Sequence, residues 1–219
     1  MRTIIKTTLL IILTLLIVLP SYAQFKVGVT GGLNISKFTV SDDNYEDYIN
    51  NIRPGFIIGP TVIYNVPKTG LSFDISALFD MRGASSKSNI NKESIYCNSL
   101  QLPFNVRYGV NYAEMVYWFV FTGPQIGFNI GSSESMIISG KSKNTGHVLE
   151  RRWVNQSTSS SWNIGVGAIV LEKVQVRVSY NLALQKTAII QQVDLDDGTS
   201  RVLTDGKAHA CQIAISYLF

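Results

Sequence analysis

The stretch VQVRVSYNLAL, residues 174–184, alternates without a break. Val174, Val176, Val178, Tyr180, Leu182 and Leu184 fall on one parity, and Gln175, Arg177, Ser179 and Asn181 on the other. Successive side chains of a β-strand point to opposite faces, so this is a strand with one apolar and one polar face. A soluble antiparallel sheet turns the apolar face inward and coats the other with solvated charge. Here the polar face carries amides, a hydroxyl and a single arginine instead of the usual Lys and Glu. That composition fits a crowded polar interior, with the apolar face turned outward to lipid.

The same period of two runs through eight segments: residues 25–37, 54–64, 71–83, 95–110, 116–131, 161–171, 174–185 and 208–219. Each has roughly the 9–11 residues of a tilted transmembrane strand, or somewhat more. In the third segment Leu71, Phe73, Ile75, Ala77, Phe79 and Met81 alternate with Ser72, Asp74, Ser76, Leu78, Asp80 and Arg82. In the fourth, Leu100, Leu102, Phe104, Val106 and Tyr108 alternate with Gln101, Pro103, Asn105 and Arg107. Gly28, Gly32, Gly55, Gly59, Gly123, Gly127, Gly165 and Gly167 share the inner parity. Glycine weakens a strand unless something needs the space, and a narrow barrel interior does.

Connectors alternate in length. Residues 65–70, 111–115 and 172–173 are short, whereas 39–51, 84–94, 132–160 and 186–207 are long and polar. Short turns on one side and long loops on the other are the arrangement of an outer-membrane barrel. The fold expected is therefore all-β: an eight-stranded antiparallel up-and-down transmembrane β-barrel over residues 24–219, following a cleaved signal peptide. The alternative is a soluble lipocalin-like barrel carrying a small ligand in the periplasm or outside the cell. An apolar outer belt around a polar interior would distinguish the two.

Residues 1–23 have the layout of a signal peptide. Arg2 and Lys6 precede an apolar run from Leu9 to Leu19, and Ser21-Tyr22-Ala23 follows Pro20 as a cleavage site. The run is shorter than the ~20 residues that span a bilayer. Removing Arg2 and Lys6 reduces the 19 Lys and Arg to 17, against 15 Asp and Glu. Such scattered, nearly balanced charge excludes the basic patch of a nucleic-acid binder.

Residues in reactive patterns are few. His147 and His209 are the two histidines, with no Cys/His spacing for zinc. No serine or cysteine stands in a nucleophile–base pattern, so neither catalysis nor a cofactor is expected. The acidic runs at 41–48 and 194–198 lack the ligand order of a calcium loop. Cys97 and Cys211 fall on opposite parities of strands on opposite sides of the ring, so no disulfide is expected. Trp118, Tyr117, Tyr64, Tyr108, Trp162 and Tyr217 lie near strand ends, as in an interfacial aromatic girdle.

Lys26, Asp74, Asp80, Arg82, Arg107 and Arg177 share the inner parity on four strands. Charges removed from bulk water need partners, so a luminal polar network is expected in which the two aspartates pair with some of the arginines. Eight strands leave a lumen filled by side chains rather than a wide channel.

FKVGVTGGLNISKF at 25–38, LQLPFNVRYGV at 100–110, FTGPQIGFNI at 121–130, WNIGVGAIV at 162–170 and the terminal SYLF together resemble the small outer-membrane β-barrel proteins of Bacteroidota, labelled PorT-like or "porin family". The resemblance runs through the whole mature chain in order. It implies location in the outer membrane and contact with its lipids. A further implication is a structural, binding or assembly role through the outer loops, with an envelope protein partner and an association with secretion both open. By resemblance to outer-membrane barrels generally, the terminal aromatics Tyr217 and Phe219 are an insertion signal read by the barrel-insertion machinery.

Overall fold

The computed structural model describes residues 24–40, 51–87, 92–113, 115–132, 135–141, 148–194 and 200–219. The signal peptide, the acidic run at 41–48 and His147 lie outside them. Twelve strands follow in order: β1 (Phe25–Val40), β2 (Asn51–Asn65), β3 (Leu71–Ser76), β4 (Leu78–Lys87), β5 (Lys92–Ala113), β6 (Val116–Ser132), β7 (Ser135–Lys141), β8 (Val148–Asn155), β9 (Thr158–Val170), β10 (Val174–Ala183), β11 (Ala188–Asp194) and β12 (Ser200–Leu218).

Eight staves close the ring, in the order β1, β2, β3 with β4, β5, β6, β9, β10 and β12, every neighbour antiparallel. The seam is β1 against β12, continuous from Gly28↔Leu218 to Val40↔Gly206. Closure removes the unpaired strand edge that lipid could not satisfy.

β3 and β4 are one stave interrupted at Ala77. The Ala77 amide donates to the Pro60 carbonyl at 3.0 Å. Pro60 has no N–H to return, so the ladder between β2 and this stave loses one bond.

Burial is inverted relative to a soluble protein. Thr30, Asn34, Asp74, Asp80, Arg107 and Asn181 are among the buried residues, while Leu33, Ile75, Val120, Ile164 and Ile213 are more than half exposed. Along β10 exposed and buried positions alternate strictly, with the apolar parity outside. This excludes the soluble lipocalin-like alternative, whose apolar face would be within. Cys211 is a free, exposed thiol on the outer face.

Gln24, Phe219 and the turns before β3 and β10 gather at one end, the periplasmic end in bacterial barrels. The Phe219 amide donates to the Val27 carbonyl at 2.8 Å, and the Leu218 amide to the Lys173 carbonyl at 2.7 Å. The turn between β9 and β10 places Leu171 at φ 51° and Glu172 at φ 59°, the paired left-handed conformation of a tight hairpin.

The opposite end departs from expectation. Residues 132–160 and 186–207, read from the sequence as loops, contain β7, β8, β11 and the first part of β12. These pair in the order β12–β11–β8–β7 and continue the sheet beyond the ring. With 19 residues at ~3.3 Å each, β12 is roughly twice as long as a membrane crossing requires. Its lower part closes the barrel and its upper part carries the extension. The short, interrupted apolar runs of these segments do not announce strands; pairing along an already formed β12 makes them so.

Candidate functional site

The lumen is built in layers. At the periplasmic end Ile63, Phe119, Phe121, Ile169 and Leu218 form an apolar cluster, with Tyr117 packed against it. Tyr117, Phe119 and Phe121 stack in a row along the inner face of β6, with ring centroids 6.3 and 6.0 Å apart. Facing glycines make room for them. A Cβ on Gly167 would stand 2.4 Å from the Phe119 ring, and one on Gly165 would stand 2.5 Å from that of Phe121. Tyr117 is thus not part of the lipid-facing girdle expected from its place near a strand end. It turns inward, and its hydroxyl donates to the Gly70 carbonyl at 3.1 Å. Trp118, on the other parity, is exposed as the girdle requires.

Above this layer lie the charges. Asp74 and Arg107 are both almost fully buried, with Asp74 Oδ2 3.8 Å from Arg107 Nε. That separation is an ion pair without a hydrogen bond. Asn105 Nδ2 donates to the other carboxylate oxygen at 2.8 Å. The Arg107 guanidinium lies over Phe119, its Cζ 3.7 Å from the ring centroid, an attraction strengthened by burial. Arg177 is buried within electrostatic range of both Asp74 and Arg107.

Farther out, Arg82 Nε donates to Asp80 Oδ2 at 2.8 Å, and Asn34 Nδ2 donates to Asp80 Oδ1. Arg82 also reaches Asn181 Oδ1 at 3.4 Å. An amide chain links these two charged groups across the lumen. Asn163 Nδ2 donates to Asn105 Oδ1 at 3.4 Å and to Gln125 Oε1 at 3.0 Å. Gln125 Nε2 donates to Gln101 Oε1 at 2.8 Å. On the opposite wall Thr30 shares hydrogen bonds with Thr61 at 2.6 Å and Ser216 at 2.8 Å, and Thr61 with Ser76 at 2.8 Å.

Of the six charged residues singled out from the sequence, five lie within the lumen: Asp74, Asp80, Arg82, Arg107 and Arg177. Lys26 stands apart at the periplasmic mouth, its Nζ 3.5 Å from Glu172 Oε2 on the exposed β9–β10 turn. A vestibule of about 830 Å³ opens there, bordered by Lys26, Lys68, Tyr117, Ile169 and Glu172. At the outer end, Arg82, Ser99, Gln101 and Ser161 line a cavity of about 20 Å³, room for about one water molecule. Asn34, Gln125 and Asn163, central to the network, were not singled out beforehand. Their inner parity was the available signal.

Tyr217 and Phe219 are exposed at the periplasmic rim and meet edge to face at 5.4 Å. His209 is engaged structurally: its ring stacks on Tyr180 at 6.2 Å, and its Nδ1 accepts the Ala183 amide at 3.3 Å. Among the described residues no group of three or more His, Cys, Asp or Glu could hold a metal ion.

Comparison with known proteins places this geometry. The family description "outer membrane protein beta-barrel domain" matches residues 21–188. No curated protein matches the sequence. Among solved structures, the outer membrane protein OprG from Pseudomonas aeruginosa superposes with a TM-score of 0.53 at 9% identity, covering 90% of this chain and 96% of that one. The outer membrane protease OmpT from Escherichia coli gives 0.42 at 11% identity, covering 91% and 98%. Ail, the attachment invasion locus protein of Yersinia pestis, gives 0.40 at 11% identity, covering 90% and 99%. At these identities the likeness to OprG is one of fold, and the two lower scores carry no argument about this chain.

Proposed function

The chain belongs to the outer membrane protein β-barrel domain family, and from that premise we propose that it works through its outer surface as a binding or assembly component, with a closed lumen. The observation that carries this reading is the division of labour along the staves. The membrane-embedded part is filled by side chains, while β7, β8, β11 and the outer part of β12 extend the sheet beyond it. A lumen filled by an apolar cluster below and a layer of amide and charged side chains above supports a structural interior over a wide pore. The engagement of His209 with Tyr180 and the Ala183 amide supports a non-catalytic role. The resemblance to PorT-like proteins of Bacteroidota extends the proposal to a secretion-associated envelope partner. Tyr217 and Phe219 at the rim are consistent with recognition by the barrel-insertion machinery.

The test replaces residues 135–155, which include β7 and β8, by a short Gly/Ser linker and compares crosslinked envelopes. The reading expects a barrel that still inserts and shows heat-modifiable migration but no longer captures an envelope protein. Capture unchanged by the replacement, or a large single-channel conductance of the intact protein in planar bilayers, would overturn it.

A further inference from the structure

We propose that the middle of the lumen is a binding site for one small monovalent anion of the halide class, held between Arg107 and Arg177. Two observations and a general consideration of size carry this.

The first is charge balance. The buried charged residues among those described are Asp74, Asp80, Arg82, Arg107 and Arg177, two negative against three positive. Asp80 is committed to Arg82 and Asn34. Among the described residues Asp74 is the one carboxylate left to face both Arg107 and Arg177, and both lie within its electrostatic range. One positive charge is left over, and an uncompensated buried charge is strongly unfavourable.

The second is an orphaned donor set. Arg107 is about 1% exposed. Its Nε, Nη1 and Nη2 have no hydrogen-bond partner in the protein, although a guanidinium offers five N–H groups in a plane. Phe119 lies over the guanidinium and Nε faces Asp74 Oδ2 at 3.8 Å, which leaves Nη1 and Nη2 for a ligand. Ser72, opposite Arg107 in the β3–β5 register, also has a buried hydroxyl without a partner.

The third is size. An eight-stranded interior has little space beyond its own side chains. This favours a monatomic ion over phosphate or a carboxylate ligand. Water could satisfy the donors but would leave the surplus charge uncompensated; a halide does both.

The test uses the full mature chain folded in detergent, with unfolding in urea read as loss of the heat-modifiable band. Sodium chloride is compared with sodium gluconate at equal ionic strength, since gluconate is too large to enter. Chloride should raise the midpoint saturably, by roughly 0.5 M urea at saturation. Arg177→Gln removes the surplus charge. It should abolish the chloride effect while standing at least as stable in gluconate as the parent protein, a result that a merely structural Arg177 would not produce. Crystals of the unaltered protein grown in sodium bromide should show an anomalous peak within about 3.5 Å of the Arg107 guanidinium. That measurement decides the matter if Arg177→Gln does not fold. Equal midpoints in chloride and gluconate, or a bromide map with only water at Arg107, would overturn the proposal.

Discussion

Asp74→Asn tests the charge arrangement of the lumen most sharply. The substitution keeps the shape of the side chain and removes the one carboxylate facing Arg107 and Arg177. At 3.8 Å from Arg107 Nε and an effective dielectric constant of about 20, the lost attraction is about 4 kcal/mol. That agrees with the 3–5 kcal/mol typical of breaking a buried ion pair from one side. The destabilisation expected is therefore about 3–4 kcal/mol, measured in gluconate so that no halide compensates. Urea unfolding of the detergent-folded barrel, followed by heat-modifiable migration, reads it directly. Adding Arg107→Met should restore most of the loss, because the second change removes one of the two charges Asp74 had balanced. A single mutant within 1 kcal/mol of the parent, or a double mutant no better than the single, would refute the assignment of Asp74 as the counter-charge.

Four further outcomes are expected. Gly167→Ala should cost about 2 kcal/mol or more, because its Cβ would meet the Phe119 ring at 2.4 Å and the Val176 carbonyl at 2.7 Å. Gly31→Ala, with nothing within 4 Å, should be close to neutral in the same unfolding assay. Glu172→Gly should stabilise the barrel by about 1 kcal/mol, since a left-handed residue at φ 59° is relieved of its Cβ clash; a lower unfolding midpoint would count against this. Deleting Phe219 should reduce outer-membrane levels more than export across the inner membrane, as fractionation with quantitative blotting would show, and unchanged outer-membrane levels would refute the insertion role.

Much of the fold is legible because alternation is a local property. In residues 174–184 the parity alone states which side chains share a face, and the dominance of amides over Lys and Glu states which face is inside. The barrel parts of all eight staves follow from repeating that reading. The outer extension is not legible in the same way. Segments such as SMIISGK, which becomes β7, are short and weakly patterned. They become strands because β12 continues past the ring and offers β11 an edge to pair with, which in turn accepts β8 and then β7.

The candidate site divides similarly. The sequence by itself put Lys26, Asp74, Asp80, Arg82, Arg107 and Arg177 on one inner parity, with glycines of the same parity to leave room beside them; five of the six are buried in the lumen and Lys26 stands at its mouth. It also determined that an eighth strand ending in SYLF must find the first. Only the tertiary structure decided the partners: Asp80 with its near neighbour Arg82, and Asp74 with Arg107 across a stave boundary. The second pairing depends on register and stave order, which set β3 beside β5 and bring together residues far apart in the chain. Tyr117, Phe119 and Phe121 share the inner parity of Gly123 and Gly127, but only the tertiary structure shows what accommodates three large rings there. VYWFVF, residues 116–121, is apolar on both parities, so hydropathy carries no sign there. Gly165 and Gly167 on the neighbouring stave supply the space that settles it.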